Sequence, residues 1–163
     1  MEHLYAPWRS AYFGEESTAD CVFCHLSQSG DDEKHHLFYR DDVAFAVMNK
    51  FPYTPGHFMI IPHVHVDSPT LLSEESWLHL NRLTRAGIAL LEEFGAHGVN
   101  FGINIRQSAG AGIPKHLHLH LVPRYNSDTN FITTIADSRV YGIDFEEVYQ
   151  KITLLAQKHF KGL

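Results

Sequence analysis

The chain has 163 residues, 44 % hydrophobic and 20 % charged, and a formal charge of −6 from 13 Lys and Arg against 19 Asp and Glu. That composition suits one globular domain with a real core, and the acidic balance argues against a general nucleic-acid binder, which would carry a basic field. No stretch approaches the ~18 apolar residues of a membrane span, "MEHLYAPWRS" carries no apolar signal-peptide run, and two cysteines suit a reducing cytoplasm.

In chain order, "CVFC" comes first, a Cys21-x-x-Cys24 pair. Such a pair can be redox-active, can bind metal, or can be two buried thiols. A redox pair should follow a strand and open a helix, and neither flank reads that way. "QSGDDEKHH" (Gln28 to His36) reads as a polar surface loop. "HLFYRDDVAFAVMN" reads as two short strands around an Asp41–Asp42 turn. "KFPYTPG" is a turn-rich connection, punctuated by Pro52, Pro55 and Gly56. "HFMIIPH" is a third strand, ended by Pro62.

The strongest helix is "SEESWLHLNRLTRAGIALLEEFG", which Ser73 can cap and Gly95 can terminate. Trp77, Leu80, Thr84, Ile88 and Leu91 recur at helical spacing and read as its core face. "GVNFGINI" alternates as a strand, with Val99, Phe101, Ile103 and Ile105 on one side and Asn100 and Asn104 on the other. "RYNSDTNFITTIADSRV" reads as a loop with an edge strand. A last helix spans about 144–160, capped by Asp144 with Glu147 three residues on. No repeat, low-complexity tract or linker divides the chain, so residues 1–163 form a single domain. Strands, helix, strands, helix indicate an α+β fold, an antiparallel sheet with helices on one face.

The chemistry concentrates in "KHLHLHLVPR" (Lys115 to Arg124). Strict alternation marks a strand, so Leu117, Leu119 and Leu121 face a core, and His116, His118 and His120 line the other side. Neighbouring imidazoles then sit roughly 6.5–7 Å apart at the Cβ. Three readings compete. The row is a solvated face, although such faces ordinarily use Lys, Glu, Thr and Ser. It is a catalytic metal site, since two histidines at i and i+2 can chelate one zinc. Or it is a nucleophilic site, with one neutral imidazole attacking and its neighbours handling protons. The preceding "RQSAGAGIP" loop permits close backbone approach through Gly110 and Gly112 and can aim N–H groups at an anion. Arg106, Lys115 and Arg124 add positive charge, as a phosphate-bearing substrate would want.

Zinc on the cysteine pair needs two more ligands, and the donors at hand are His63 and His65 of "PHVH" and one of the histidine row. A closed four-ligand site would be structural and leave no position for substrate. That weighs against a catalytic zinc in the row. His57, in "PGHF", begins a strand and can face the same site. His3, His35, His36, His79, His97 and His159 read as surface or structural.

"HLHLHLVP" resembles the signature of the histidine triad family, three histidines alternating with apolar residues. "CVFC", "MNKFPYTPGHFMIIPHVHV" and "NFGINIRQSAGAGIPKHLHLHLVPRYNSDTNF" follow in the family's order, over about residues 5–150. "APWR", "AGAG" and "DTNF" are most similar to the branch of diadenosine polyphosphate hydrolases and diadenosine tetraphosphate phosphorylases. The resemblance implies a homodimer with a sheet of about five strands per subunit, a nucleotide substrate, structural zinc and no organic cofactor. It implies that His118 attacks the α-phosphorus, that His120 binds phosphate and manages the proton, and that His116 holds the site together. The implied zinc set is Cys21, Cys24, His65 and His116, within a segment of about residues 15–36 and beyond. Asn49 corresponds to a ribose contact and His57 to a histidine beside the triad. Asn104 and the loop at Gly110, Ala111 and Gly112 correspond to phosphate contacts, with Arg124 as a nearby cation. Arg106 stands where related phosphorylases carry Gly, Tyr125 where they often carry Trp, and "GIPK" where many members carry Gln and Ser or Thr. The alternatives are a nucleoside phosphoramidate hydrolase of the same family and a nucleotide-binding regulatory protein with slow turnover.

Overall fold

The computed structural model describes residues 21–126, 128–140 and 142–163; the "APWR" motif and the start of the expected metal-binding segment (15–20) lie outside the described residues. The elements are α1 (Val22–Gln28), β1 (Leu37–Arg40), β2 (Ala44–Met48), β3 (Phe58–Pro62), α2 (Glu74–Phe94), β4 (Gly98–Ile103), β5 (Leu119–Arg124), α3 (Phe131–Ala136) and α4 (Phe145–His159). Five strands form one antiparallel sheet in the order β1-β2-β3-β5-β4. The α+β expectation holds, with its five strands and two main helices.

Local chemistry explains the element ends. Asp41 turns the chain between β1 and β2, its Oδ1 accepting from the N–H groups of Val43 and Ala44 at 2.7 and 2.8 Å, as Asx turns do. Ser73 caps α2 by accepting from Ser76 N–H, and Gly95 closes it in the left-handed conformation. Asp144 caps α4 by accepting from the N–H groups of Glu146 and Glu147.

Every residue of β2 and β3 is buried, so both sheet faces are covered. On one face Ala44, Ala46, Met48, Phe58, Ile60, Leu119 and Leu121 pack with α2 and α4. On the other, Phe45, Val47, Met59 and Ile61 pack under Phe23 of α1. The two main helices share one face as expected, and short α1, which the sequence did not announce, lies across the opposite one.

Three further expectations change. The segment after Tyr125 forms α3 in place of an edge strand, because Asn130 and Thr133 cap each other reciprocally. On α2, Leu83, Gly87 and Leu90 are buried with Leu80, Thr84 and Leu91, whereas Trp77 and Ile88 are only partly covered. Phe101 and Ile105 of the β4 segment are exposed, while Val99 and Ile103 pack on the core.

Candidate active site and metal centre

The histidine row keeps the expected parity but not the expected strand. β5 begins only at Leu119. Ahead of it residues 116–118 lie outside the strand, and Leu117 N–H donates to Val66 O at 2.6 Å. Leu117, Leu119 and Leu121 are buried, and so are His116 and His118 on the other side. The row is not a solvated face. Phe23 covers it, with ring centroids 5.5 Å from His116 and 5.1 Å from His118.

His116 looks toward the cysteine pair. Its Nε2–H donates to Pro62 O at 2.8 Å, so Nδ1 carries the lone pair. That atom lies 3.3 Å from Cys21 Sγ and 3.6 Å from Cys24 Sγ, and His65 Nδ1 lies 3.1 Å from Cys24 Sγ. The donor atoms of Cys21, Cys24, His65 and His116 all fall within 4.8 Å of one another. Tetrahedral zinc with ordinary bond lengths separates sulfur from nitrogen by roughly 3.5 Å. Two thiolates, two imidazoles and a fixed tautomer therefore fit a closed metal site. His63, the other donor in "PHVH", is engaged elsewhere: its Nε2–H donates to Asp41 O at 2.9 Å, and Ser27 Oγ–H donates to its Nδ1 at 2.6 Å. The cysteine pair opens a helix, α1, contrary to the reading of its flanks.

His118 is held by the backbone of the same row. Its Nδ1–H donates to His116 O at 2.8 Å, which leaves the lone pair on Nε2. Burial pushes its pKa down, against an upward pull from that hydrogen bond. A ring below the usual imidazole range is neutral near pH 7 and has a nucleophilic nitrogen. The ring of His120 stands beside it, centroids 4.9 Å apart.

His120 belongs to a second set. Tyr53 N–H donates to His57 Nδ1 at 3.1 Å. A backbone N–H can only donate, so the proton of neutral His57 is on Nε2. That nitrogen lies 3.0 Å from His120 Nδ1, which must accept. The remaining proton of a neutral His120 is then on Nε2. Burial, with the neighbouring His120 second, lowers the His57 pKa to about 3.

Asn49 is buried behind this pair, its Oδ1 accepting from Phe51 N–H at 3.0 Å; its Nδ2, 3.3 Å from His57 Nε2, sets one N–H against another and makes no hydrogen bond in this tautomer. Tyr53 was not singled out in the sequence. Its ring lies parallel over His120, at 6.3 Å and 26°. An exposed aromatic inside a turn-rich segment ending in a site histidine was the available signal.

The pairing of β4 with β5 ends at Ile103 opposite Leu119, so Asn104 leaves the sheet at the end where His118 enters it. The loop beyond Asn104 is closed by its own backbone hydrogen bonds. Gly110 N–H donates to Gln107 O, and Ala109 and Ala111 N–H donate to Arg106 O. Gly110 has φ +90°, Ala111 is buried and Gly112 exposed. Arg124, at the far end of β5, donates to Asp128 Oδ2 at 2.7 Å and Asn100 Oδ1 at 2.9 Å. The structure thus gathers His57, His116, His118 and His120 with Asn49, and sets the other three metal donors, Cys21, Cys24 and His65, beside His116, while Arg124 is engaged at the strand's other end.

A family model described as HIT domain matches residues 31–127. An AP-4-A phosphorylase of Mycobacterium tuberculosis is 33 % identical over 150 residues, spanning 86 % of this chain and 76 % of that protein. A bis(5'-adenosyl)-triphosphatase of Dictyostelium discoideum is 29 % identical, spanning 56 % of this chain and 62 % of that protein. Among solved structures, a Zn-bound histidine triad family protein from Mycobacterium smegmatis superposes with a TM-score of 0.69 at 27 % identity, covering 85 % of this chain and 95 % of the other.

Proposed function

The chain belongs to the HIT domain family, and from that premise we propose that it cleaves dinucleoside polyphosphates, such as diadenosine tetraphosphate or triphosphate, at the α-phosphorus. The observation that carries the reading is the pairing of fixed tautomers: His118 presents a lone pair at Nε2, and His120 beside it presents an N–H. His118 Nε2 attacks the α-phosphorus in line, the P–N bond forms, and the bond to the bridging oxygen breaks. The His120 Nε2–H supports the phosphoryl oxygens or gives its proton to the departing oxygen. An acceptor then displaces His118 from phosphorus, so two inversions give net retention.

The sites named from sequence divide the work. His116, His118 and His120 form the row, and His57 orients His120. Following the resemblance, Asn49 serves the ribose side and Asn104, Gly110, Ala111 and Gly112 the phosphates; Arg124, spent on Asp128 and Asn100 at the other end of β5, is left out of that set. Cys21, Cys24, His65 and His116 hold zinc, which when bound supplies a structural cross-link between α1, the β3 exit and the histidine row. Reduced cysteines in that role suit the cytoplasm, and among the described residues no helix is long and apolar enough to cross a membrane. A homodimer is supported by the terminal position of β4 in the sheet and the 60 % exposure of Phe101 upon it.

The similarity to an AP-4-A phosphorylase favours phosphate as acceptor, with water slower. Product analysis on diadenosine tetraphosphate tests this. ATP and ADP in equal amounts, rising with millimolar phosphate, is the expected result. ATP and AMP whatever the phosphate would make the chain a hydrolase. No cleavage, with turnover of adenosine phosphoramidates instead, would move it to the phosphoramidate class.

A further inference from the structure

Arg106 has φ +65° and ψ 176°. Left-handed φ with extended ψ is a region essentially reserved for glycine. Asp137, another non-glycine residue with positive φ, lies at ψ 32°, in the ordinary left-handed helical well. A side chain in Arg106's conformation persists only if its surroundings hold it. Two things do. Its guanidinium meets Asp67 as a fork, Nε donating to Oδ2 at 2.8 Å and Nη2 to Oδ1 at 3.4 Å. Its carbonyl accepts from Ala109 and Ala111 N–H, at 3.3 Å each. Side chain and carbonyl are thus pinned in different directions around one strained residue.

Asp67 is itself anchored. Val66 O accepts from Leu117 N–H, between His116 and His118. The next residue, Ser68, is buried and accepts from Thr70 N–H. A continuous path therefore runs from the histidine row through Val66 and Asp67 to Arg106 and the loop over residues 106–112. We propose that Asp67 is a positioning residue that holds this loop against the histidine row by pinning Arg106 in its strained conformation, so that Arg106 acts as a lever on the loop rather than as a cation for substrate. The role of the loop as a phosphate cradle rests on the proposed function; the latch itself does not.

The two roles of Arg106 part in a double-mutant comparison, Asp67→Ala introduced into the parent and into the Arg106→Gly variant. Glycine adopts φ +65° without strain and has nothing for Asp67 to hold. With Arg106 present, Asp67→Ala is expected to raise KM for diadenosine tetraphosphate roughly two- to fivefold, the scale of an exposed ion pair, with kcat little changed. In the Arg106→Gly background the same substitution is expected to leave KM unmoved. Arg106→Lys keeps the charge but not the fork, and is expected to behave as Asp67→Ala does. The urea midpoint should show the same pattern: Asp67→Ala lowers it with Arg106 present and leaves it alone in the Arg106→Gly background. Equal KM shifts in both backgrounds, tighter substrate binding when Asp67 is removed, or an Arg106→Lys variant that behaves like the parent would overturn the proposal. If no variant cleaves the substrate, the proposed function fails and the urea comparison alone decides the latch.

Discussion

His57 Nε2 lies 3.0 Å from His120 Nδ1, and the proton between them belongs to His57, because its other nitrogen already accepts from Tyr53 N–H. Neither ring can then rotate its tautomer without losing a partner. His57 is a neutral spacer that decides which face of His120 carries hydrogen.

The first prediction follows from that neutrality. Above pH ~6.5, the ordinary imidazole value, His57 is uncharged in folded and unfolded chains alike. Below it the unfolded chain takes up a proton that the folded chain refuses until about pH 3. Stability is therefore complete above 6.5 and declines as pH falls toward 3, by up to about 1.4 kcal/mol per pH unit from this group. Urea midpoints between pH 7 and 4 read the slope. His57→Gln should flatten it, and should keep more activity than His57→Ala, since a carboxamide offers one acceptor and one donor. An unchanged slope in His57→Gln would show that other groups set the acid limb.

His118→Ala is expected to cut turnover by several orders of magnitude, as loss of a nucleophile does. Rapid quenching without acid should trap a nucleotide on the parent protein, and a substrate chiral at phosphorus should react with net retention. Inversion would mean direct attack by the acceptor and would demote His118 to a base.

The metal site should carry about one zinc per chain. Cys24→Ser is expected to lower the thermal midpoint more than it changes kcat, and chelation should do the same. Metal analysis of protein purified without chelator reads the stoichiometry. Activity lost on chelation at unchanged stability would instead put the metal into the reaction.

Gly87 tests the packing beneath the site. A Cβ there would stand 2.7 Å from Leu121 Cδ2 and 3.0 Å from Phe58 Cζ. Gly87→Ala should gain up to about 1 kcal/mol in helix propensity, yet overpacking a dense core costs about 1–3 kcal/mol. A net loss in chemical denaturation is expected. A more stable variant would show that Leu121 and Phe58 have room to move.

What the sequence made legible was what repeats or is capped locally. The alternation at 116–121 placed the leucines in the core and the histidines together, and Ser73 and Gly95 marked both ends of α2. What it hid was decided at a distance. α1 has Cys21 at its N-cap with no side-chain bond, and is fixed by Phe23 packing on the far face of the sheet. α3 contains Ile132, Thr133, Thr134 and Ile135, β-branched residues that favour strands, and its reciprocal cap, with Thr134 bonding back to Asn130 O, overrules them. The metal donors were legible as types. The residues alone left His63 and His65 both open; the resemblance pointed to His65, and the Ser27 and Asp41 contacts that engage His63 give the physical reason.

The two-residue rhythm of β5, Leu119–Arg124, also sets what lengths the chain tolerates. Because alternate side chains take opposite faces, one residue inserted after Leu119 would turn Leu121 outward and drive His120 into the core. Insertions in the polar turns before β1 face no such exchange. Relatives in this family should therefore differ in length at their turns, and a reading-frame-preserving library with single-codon insertions should be emptied of survivors across these six positions.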